Sequence, residues 1–157
     1  MTRSTSVRLR ATDQGDFETL RVLFDDPSFM GWGGSGRMPD DVIQRKYLGL
    51  RYPDVECFLV MLGNQAVGLA QIHVEPAGGG MDLILLPAAR GHGIGRVVVA
   101  DLAHRARAGR GWSRITVDPD LDNEEGIQFW QAVGFVPERT VNDNTGRSPY
   151  LVMVLAN

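Results

Sequence analysis

The feature that most restricts how this chain can fold lies near its middle. An apolar run at residues 81–86, broken only by Asp82, is closed by Pro87 and leads through a glycine-rich turn into a helix-periodic stretch. A short, nearly continuous apolar run suits a central strand covered on both faces. Ile94, Val98, Leu102 and Ala106 then recur at i, i+4 spacing, so residues 93–108 predict a helix with one face packed on a sheet. A strand that feeds straight into such a helix implies a helical crossover, which places the chain among α/β folds.

The flanking segments are consistent with that frame. Residues 7–10 alternate as a strand, and Thr12-Asp13 offers a cap for a helix carrying Phe17, Leu20 and Phe24. Pro27 and the glycines at 31, 33, 34 and 36 open a loop; Pro39-Asp40-Asp41 restarts a helix to about Leu50, and Tyr52-Pro53 ends it. Residues 57–62 and 66–74 predict two strands joined by Gly63-Asn64-Gln65, and Gly78-Gly79-Gly80 reads as the connection to the central strand. Residues 114–117 predict a strand, and 123–132 a helix with Glu124 and Glu125 in its first turn and Gly134 as its stop. Residues 135–141 and 150–155 close the chain as a hairpin around 142–146. With no repeat or linker, residues 1–157 read as a single domain.

Composition narrows the function classes. A chain of 157 residues builds one substantial core, and no window approaches the roughly 18 continuous apolar residues of a membrane span. The N-terminus lacks an apolar signal region, so the expected location is the cytoplasm. A net charge of −3 opposes general nucleic-acid binding. Cys57, the one cysteine, lies in an apolar run and reads as a small buried hydrophobe. His73, His92 and His104 lack paired spacing, and neither C-x-x-C nor H-E-x-x-H occurs, so no metal is expected.

The turn after the central strand reads Arg90-Gly91-His92-Gly93-Ile94-Gly95-Arg96. A helix start presents unpaired N–H groups and a positive dipole end, and glycines let a diphosphate approach that backbone. The same glycines would also serve a plain strand-to-helix turn that needs positive φ. Spacing excludes two other phosphate motifs: G-x-G-x-x-G fails at Arg96 and Val98, and G-K-[ST] is missing. The spacing [RQ]-x-x-G-x-[GA], here Arg90, Gly93 and Gly95, resembles the coenzyme A pyrophosphate signature of the Gcn5-related N-acetyltransferase superfamily. The order of elements resembles that fold over essentially the whole chain. The resemblance implies a mixed sheet of about seven strands flanked by about four helices, with acetyl-CoA as acyl donor. It implies diphosphate contacts along Arg90, Gly91, His92, Gly93, Ile94, Gly95 and Arg96, and a pantetheine arm pairing with Ile84, Leu85 and Leu86. Asn123 and Trp130 would border the thiol end, Asn123 equally well as a helix cap.

Several stretches are more specific. Trp32-Gly-Gly34, Phe58-Leu-Val-Met-Leu62 with Val67-Gly68-Leu-Ala-Gln71, Thr116-Val-Asp-Pro119 before Asn123, and Gly134-Phe135 with Tyr150-Leu-Val152 resemble the aminoglycoside 6'-N-acetyltransferases. An acceptor amine is mostly ammonium near neutral pH, so its site must hold a cation and then take a proton, and carboxylates do both. The resemblance assigns Asp82 as general base and Asp118 as a substrate-binding aspartate. His73 and Glu75 are second-choice bases, Glu75 also facing the acceptor, and Trp32 offers a flat wall to a sugar ring. Asp82 also reads as a structural acid at a strand entrance.

Two departures stand out. Trp130 occupies the place of a tyrosine common in the superfamily, and an indole cannot protonate a departing thiolate. Glu75-Pro-Ala-Gly-Gly-Gly80 is short where the aminoglycoside enzymes carry a longer acidic flap. The expected partner is a small-molecule amine, for a monomer or homodimer. A peptide or protein N-acetyltransferase and a noncatalytic acyl-CoA-binding module are the alternatives.

Overall fold

A computed structural model describes residues 6–29 and 38–156. In chain order the elements are β1 (Val7–Ala11), α1 (Phe17–Asp25), α2 (Asp40–Lys46), β2 (Val55–Leu62), β3 (Gln65–Glu75), β4 (Gly78–Leu85), α3 (Ile94–His104), β5 (Ile115–Val117), α4 (Glu124–Ala132), β6 (Phe135–Val141) and β7 (Tyr150–Leu155). The expected order of strands and helices is thus observed. The seven strands form one sheet in the order β1-β2-β3-β4-β5-β7-β6. Every neighbour pair is antiparallel except β4 and β5, joined by the α3 crossover. Among the described residues no helix is long and apolar enough to cross a membrane.

The period-two alternation of β2 explains how one apolar run serves two layers. Cys57, Leu59 and Met61 pack with Leu20, Leu23 and Phe24 of α1 and Ile43 of α2. Phe58 and Val60 face the other way, onto Val98, Val99 and Leu102 of α3. In β3 the parity changes at Val67: Ala66 lies in the α1/α2 layer and Val67 in the α3 layer, whereas from Leu69 onward odd and even positions exchange roles. The cause is a bulge, because Val60 pairs with Gly68 and Met61 with Ala66, leaving Val67 as the extra residue.

Three boundaries differ from the sequence expectation. Helix α2 ends at Lys46, not near Leu50, and its last turn is closed by the Tyr47 N–H on the Ile43 carbonyl at 3.0 Å. Helix α3 keeps regular turns only to His104 and continues as a π-helical turn over Arg105–Gly109. Most consequential, Gly78-Gly79-Gly80 is no linker: it forms the first part of β4, opposite Glu75, Val74 and His73. At Gly79 glycine is required by close approach. A Cβ on Gly79 would strike the Trp112 ring, and one on Gly80 would strike the ends of His73 and Glu75.

The start of α1 is tied to β1 by a buried carboxylate. Asp16 accepts from Arg10 Nη2 at 2.7 Å and Nη1 at 3.2 Å, and from the Asp13 N–H at 2.9 Å in a reciprocal capping box. Burial works against its charge, but the Arg10 and Asp13 hydrogen bonds outweigh that and hold its pKa below the ordinary carboxylate value. Asp16→Asn should therefore cost about 2 kcal/mol of unfolding free energy at neutral pH, a charge-assisted bond discounted for the half-exposed Arg10. A depressed folded-state pKa stabilises above the unfolded value near 4 and ceases to do so as pH falls through the folded value. The gap between wild type and variant in chemical denaturation should accordingly close below about pH 4.

Candidate active site

The parallel ladder between β4 and β5 is only two residue pairs long, Gly79 with Ile115 and Gly80 with Thr116. Beyond it β4 keeps its β3 partners through Leu85, and β5 turns its other edge to β7 through Thr116 and Val117. The stretch of β4 from Met81 to Leu85 therefore has no strand on its β5 side among the described residues. This edge is the one assigned above to Ile84, Leu85 and Leu86. On this edge the Leu85 carbonyl already accepts from Arg90 Nε at 3.1 Å, whereas the Leu86 N–H points the other way and donates to the Val67 carbonyl of β3 at 2.8 Å.

At the C-terminal end of β4, a short 3-10 turn (Pro87–Ala89) and the glycine loop lead into α3. Gly93 caps the helix at φ +80°, where an L side chain is strained, and no side chain caps its first turn among the described residues. A Cβ on Gly91 or Gly93 would meet nothing within 4 Å. The loop thus combines uncapped helical N–H groups with open space in front of them, the setting that suits a diphosphate. Gly95 differs: it is buried, and a Cβ there would meet the Phe129 ring at 2.7 Å, so α3 and α4 need it to pack. Ile94 is also buried in the core, which leaves its backbone as its means of contact, whereas His92 and Arg96 are exposed.

The titratable residues meet near the two-pair ladder. Glu75 accepts from the Thr116 hydroxyl, 3.1 Å from each carboxylate oxygen, and lies 3.2 Å from His73 Nε2. His73 Nδ1 is 3.5 Å from Asp82 Oδ2, within ion-pair range but without hydrogen-bond geometry. Asp82 raises the His73 pKa above its ordinary value, and Glu75 adds to this, against the opposing effect of burial. Asp82 is oriented by Gln71, whose Nε2 donates to Oδ2 at 2.8 Å. Cys57 backs this pair, its thiol 3.5 Å from Gln71 Oε1 and 3.7 Å from the Lys46 carbonyl, and burial pushes its pKa up to about 11. Asp118, just past β5, has a raised pKa, chiefly from burial and then from the charge of Asp82, with Arg147 partly offsetting both. Arg147 donates to Asp118 Oδ2 at 3.1 Å.

Glu75, His73, Asp82 and Asp118 are thus brought together. Asp82 lies within β4, opposite Gln71, rather than at the strand's entrance. Trp130 is buried: only 8% exposed, it packs edge-on against Phe129 and Phe135 at 5.0 and 5.2 Å between ring centres. An indole that large is worth more as a core filler than at a wet cleft. Asn123 acts as the cap of α4, its Oδ1 accepting from the Gly126 N–H at 3.0 Å. Trp32 lies outside the described residues. Sequence reasoning passed over Gln71, Thr116 and Arg147 as site residues. Gln71 carried a signal, because a polar side chain at even spacing from His73 and Glu75 shares their face of β3.

A sequence profile of the acetyltransferase (GNAT) family matches residues 17–135. No curated protein matches the sequence. Among solved structures, aminoglycoside acetyltransferase AAC(6')-Ib in complex with coenzyme A superposes with a TM-score of 0.81 at 24% identity, covering 95% of this chain and 94% of that one. The same protein with paromomycin and acetyl-CoA gives 0.82 at 24% identity, covering 96% and 93%. A spermidine N-acetyltransferase SpeG chimera from Vibrio cholerae and hSSAT gives 0.79 at 17% identity, covering 95% and 94%. With the family profile spanning most of the chain and the interrupted sheet in place, the chain belongs to the acetyltransferase (GNAT) family, and is an N-acetyltransferase that draws its acetyl group from acetyl-CoA.

Proposed function

We propose that the chain acetylates a primary amine of a small cationic acceptor of the aminoglycoside type, in the cytoplasm, and so acts as an antibiotic-modifying enzyme. The observation that carries this reading is the carboxylate cluster of Glu75, Asp82 and Asp118 beside the place where β4 and β5 part. Such a cluster attracts an ammonium group and accepts its proton. The structural neighbours support the substrate class, since the names of those enzymes specify aminoglycoside and spermidine, both polyamines. The tight turn between β3 and β4 leaves little flap over the acceptor and favours smaller amines.

In this reading Gly91, Gly93 and the first N–H groups of α3 hold the diphosphate, and Arg90 and Arg96 add charge. The pantetheine arm runs along the open edge beside Ile84, Leu85 and Leu86, where the Leu85 carbonyl is already held by Arg90. Acetyl-CoA supplies an activated thioester carbonyl. Asp82, held by Gln71, takes the proton of the bound ammonium; the amine nitrogen then bonds to the acetyl carbon as the carbon–sulfur bond breaks, and the proton that the nitrogen sheds on becoming an amide balances the thiolate released as coenzyme A thiol. Asp118 holds the acceptor in place, and His73 lies beside Asp82.

The test is release of free thiol from acetyl-CoA in the presence of aminoglycosides, polyamines, amino acids and short peptides. Turnover confined to peptides or simple amines would move the acceptor class. Release no faster than hydrolysis with every amine would leave a noncatalytic acyl-CoA binder. Asp82→Asn keeps shape and removes basicity, so kcat should fall about 100-fold or more while acetyl-CoA affinity in calorimetry changes less than about two-fold. Gly93→Val strains a left-handed residue and fills the open space at the loop, so it should weaken acetyl-CoA binding by about ten-fold or more. Normal affinity in that variant would refute the diphosphate assignment.

A further inference from the structure

The acidic cluster already carries an internal cation. Arg147, in the loop between β6 and β7, donates from Nη1 to Asp118 Oδ2 at 3.1 Å and from Nη2 to the Asp118 carbonyl at 2.9 Å. Its Nη2 is also 3.6 Å from Asp120 Oδ1, and its guanidinium carbon lies 3.8 Å from the centre of the Tyr150 ring. Backbone pairing fixes this arrangement. The Leu151 N–H donates to the Pro119 carbonyl at 2.8 Å and the Leu121 N–H to the Pro149 carbonyl at 3.0 Å, so the segment after β5 and the start of β7 hold the loop beside Asp118. Asp118 in turn feels the charges of Asp82 and His73. A fixed positive charge therefore sits on a carboxylate where a further ammonium group of a polyamine would settle.

We propose that Arg147 determines specificity by competing with cationic acceptors for Asp118. An acceptor with several ammonium groups exchanges one of them for the guanidinium, whereas a monoamine placed at Asp82 leaves the pair intact. The inference rests on the amine-acetylating reading above. Exchange is feasible because the side chains of Arg147 and Asp118 are 42% and 45% exposed, and an ion pair in that setting is weak. The Tyr150 ring stacks on the guanidinium face and keeps the planar fork aimed at Asp118. No covalent step is involved.

The experiment compares wild type with Arg147→Gln in two ways. Steady-state thiol release gives KM for spermidine, kanamycin and a linear monoamine as long as spermidine; calorimetry gives the binding of spermidine alone. In Arg147→Gln, KM for spermidine should fall relative to KM for the monoamine by about five-fold, spermidine should bind correspondingly more tightly, and both differences should shrink in high salt. Arg147→Lys, which keeps the charge, should stay closer to wild type than Arg147→Gln. An unchanged KM ratio, or a spermidine KM that rises, would overturn the proposal. If neither protein acetylates any of these amines, the acetyl-transfer reading fails, and calorimetry still decides: tighter spermidine binding in Arg147→Gln supports the internal competitor and equal binding refutes it.

Discussion

The early end of the β4–β5 ladder is the constraint on which the rest of this molecule depends. A strand inside a sheet normally satisfies both edges with backbone hydrogen bonds, and an interior edge left open is costly unless something pairs with it. Here two residue pairs hold the halves of the sheet together, and β5 then gives its remaining pairing to β7. The junction forms only because glycines let the strands and the Trp112 ring come close, so residues without side chains decide where the sheet opens. Everything chemical is arranged around that opening: the glycine loop at its far end, the carboxylates at its near end.

The carboxylates pose an electrostatic problem of their own. Burial and then the charge of Asp82 raise the Asp118 pKa, and a protonated acid neither attracts an ammonium nor accepts its proton. Two basic side chains lie among the carboxylates. His73 sits between Glu75 and Asp82, and Arg147 rests on Asp118. Neutral hydrogen bonds do the remaining work, the Thr116 hydroxyl on Glu75 and the Gln71 amide on Asp82. The cluster therefore carries its own hydrogen-bonding and ionic partners, and an incoming ammonium meets carboxylates that are already engaged.

What the sequence disclosed follows from the range of the interactions involved. The strand, glycine turn and α3 are contiguous, so their signals are local and the order of elements could be read from them. The seating of Asp82 beside His73 also follows from alternation on neighbouring antiparallel strands. The role of Gly78-Gly79-Gly80 could not be read, because the partner that demands glycine at 79 is Trp112, beyond the whole α3 crossover. Arg147 was hidden for a similar reason: only the pairing of the segment after β5 with β7 carries it to Asp118. Trp130 lies in a stretch that matches a family pattern, whereas its burial is set by Phe129 and Phe135 together.

Cys57 adds a final consequence. A reaction that passes acyl groups between sulfur and nitrogen puts any nearby thiolate at risk of capturing the acyl group itself. With its pKa pushed to about 11 by burial, on the order of one Cys57 in ten thousand is ionised at neutral pH, and its proton is shared with Gln71 and Lys46. The glutamine that orients Asp82 thus rests on a sulfur held in its thiol form. Such a thiol is a poor nucleophile toward a thioester or a disulfide.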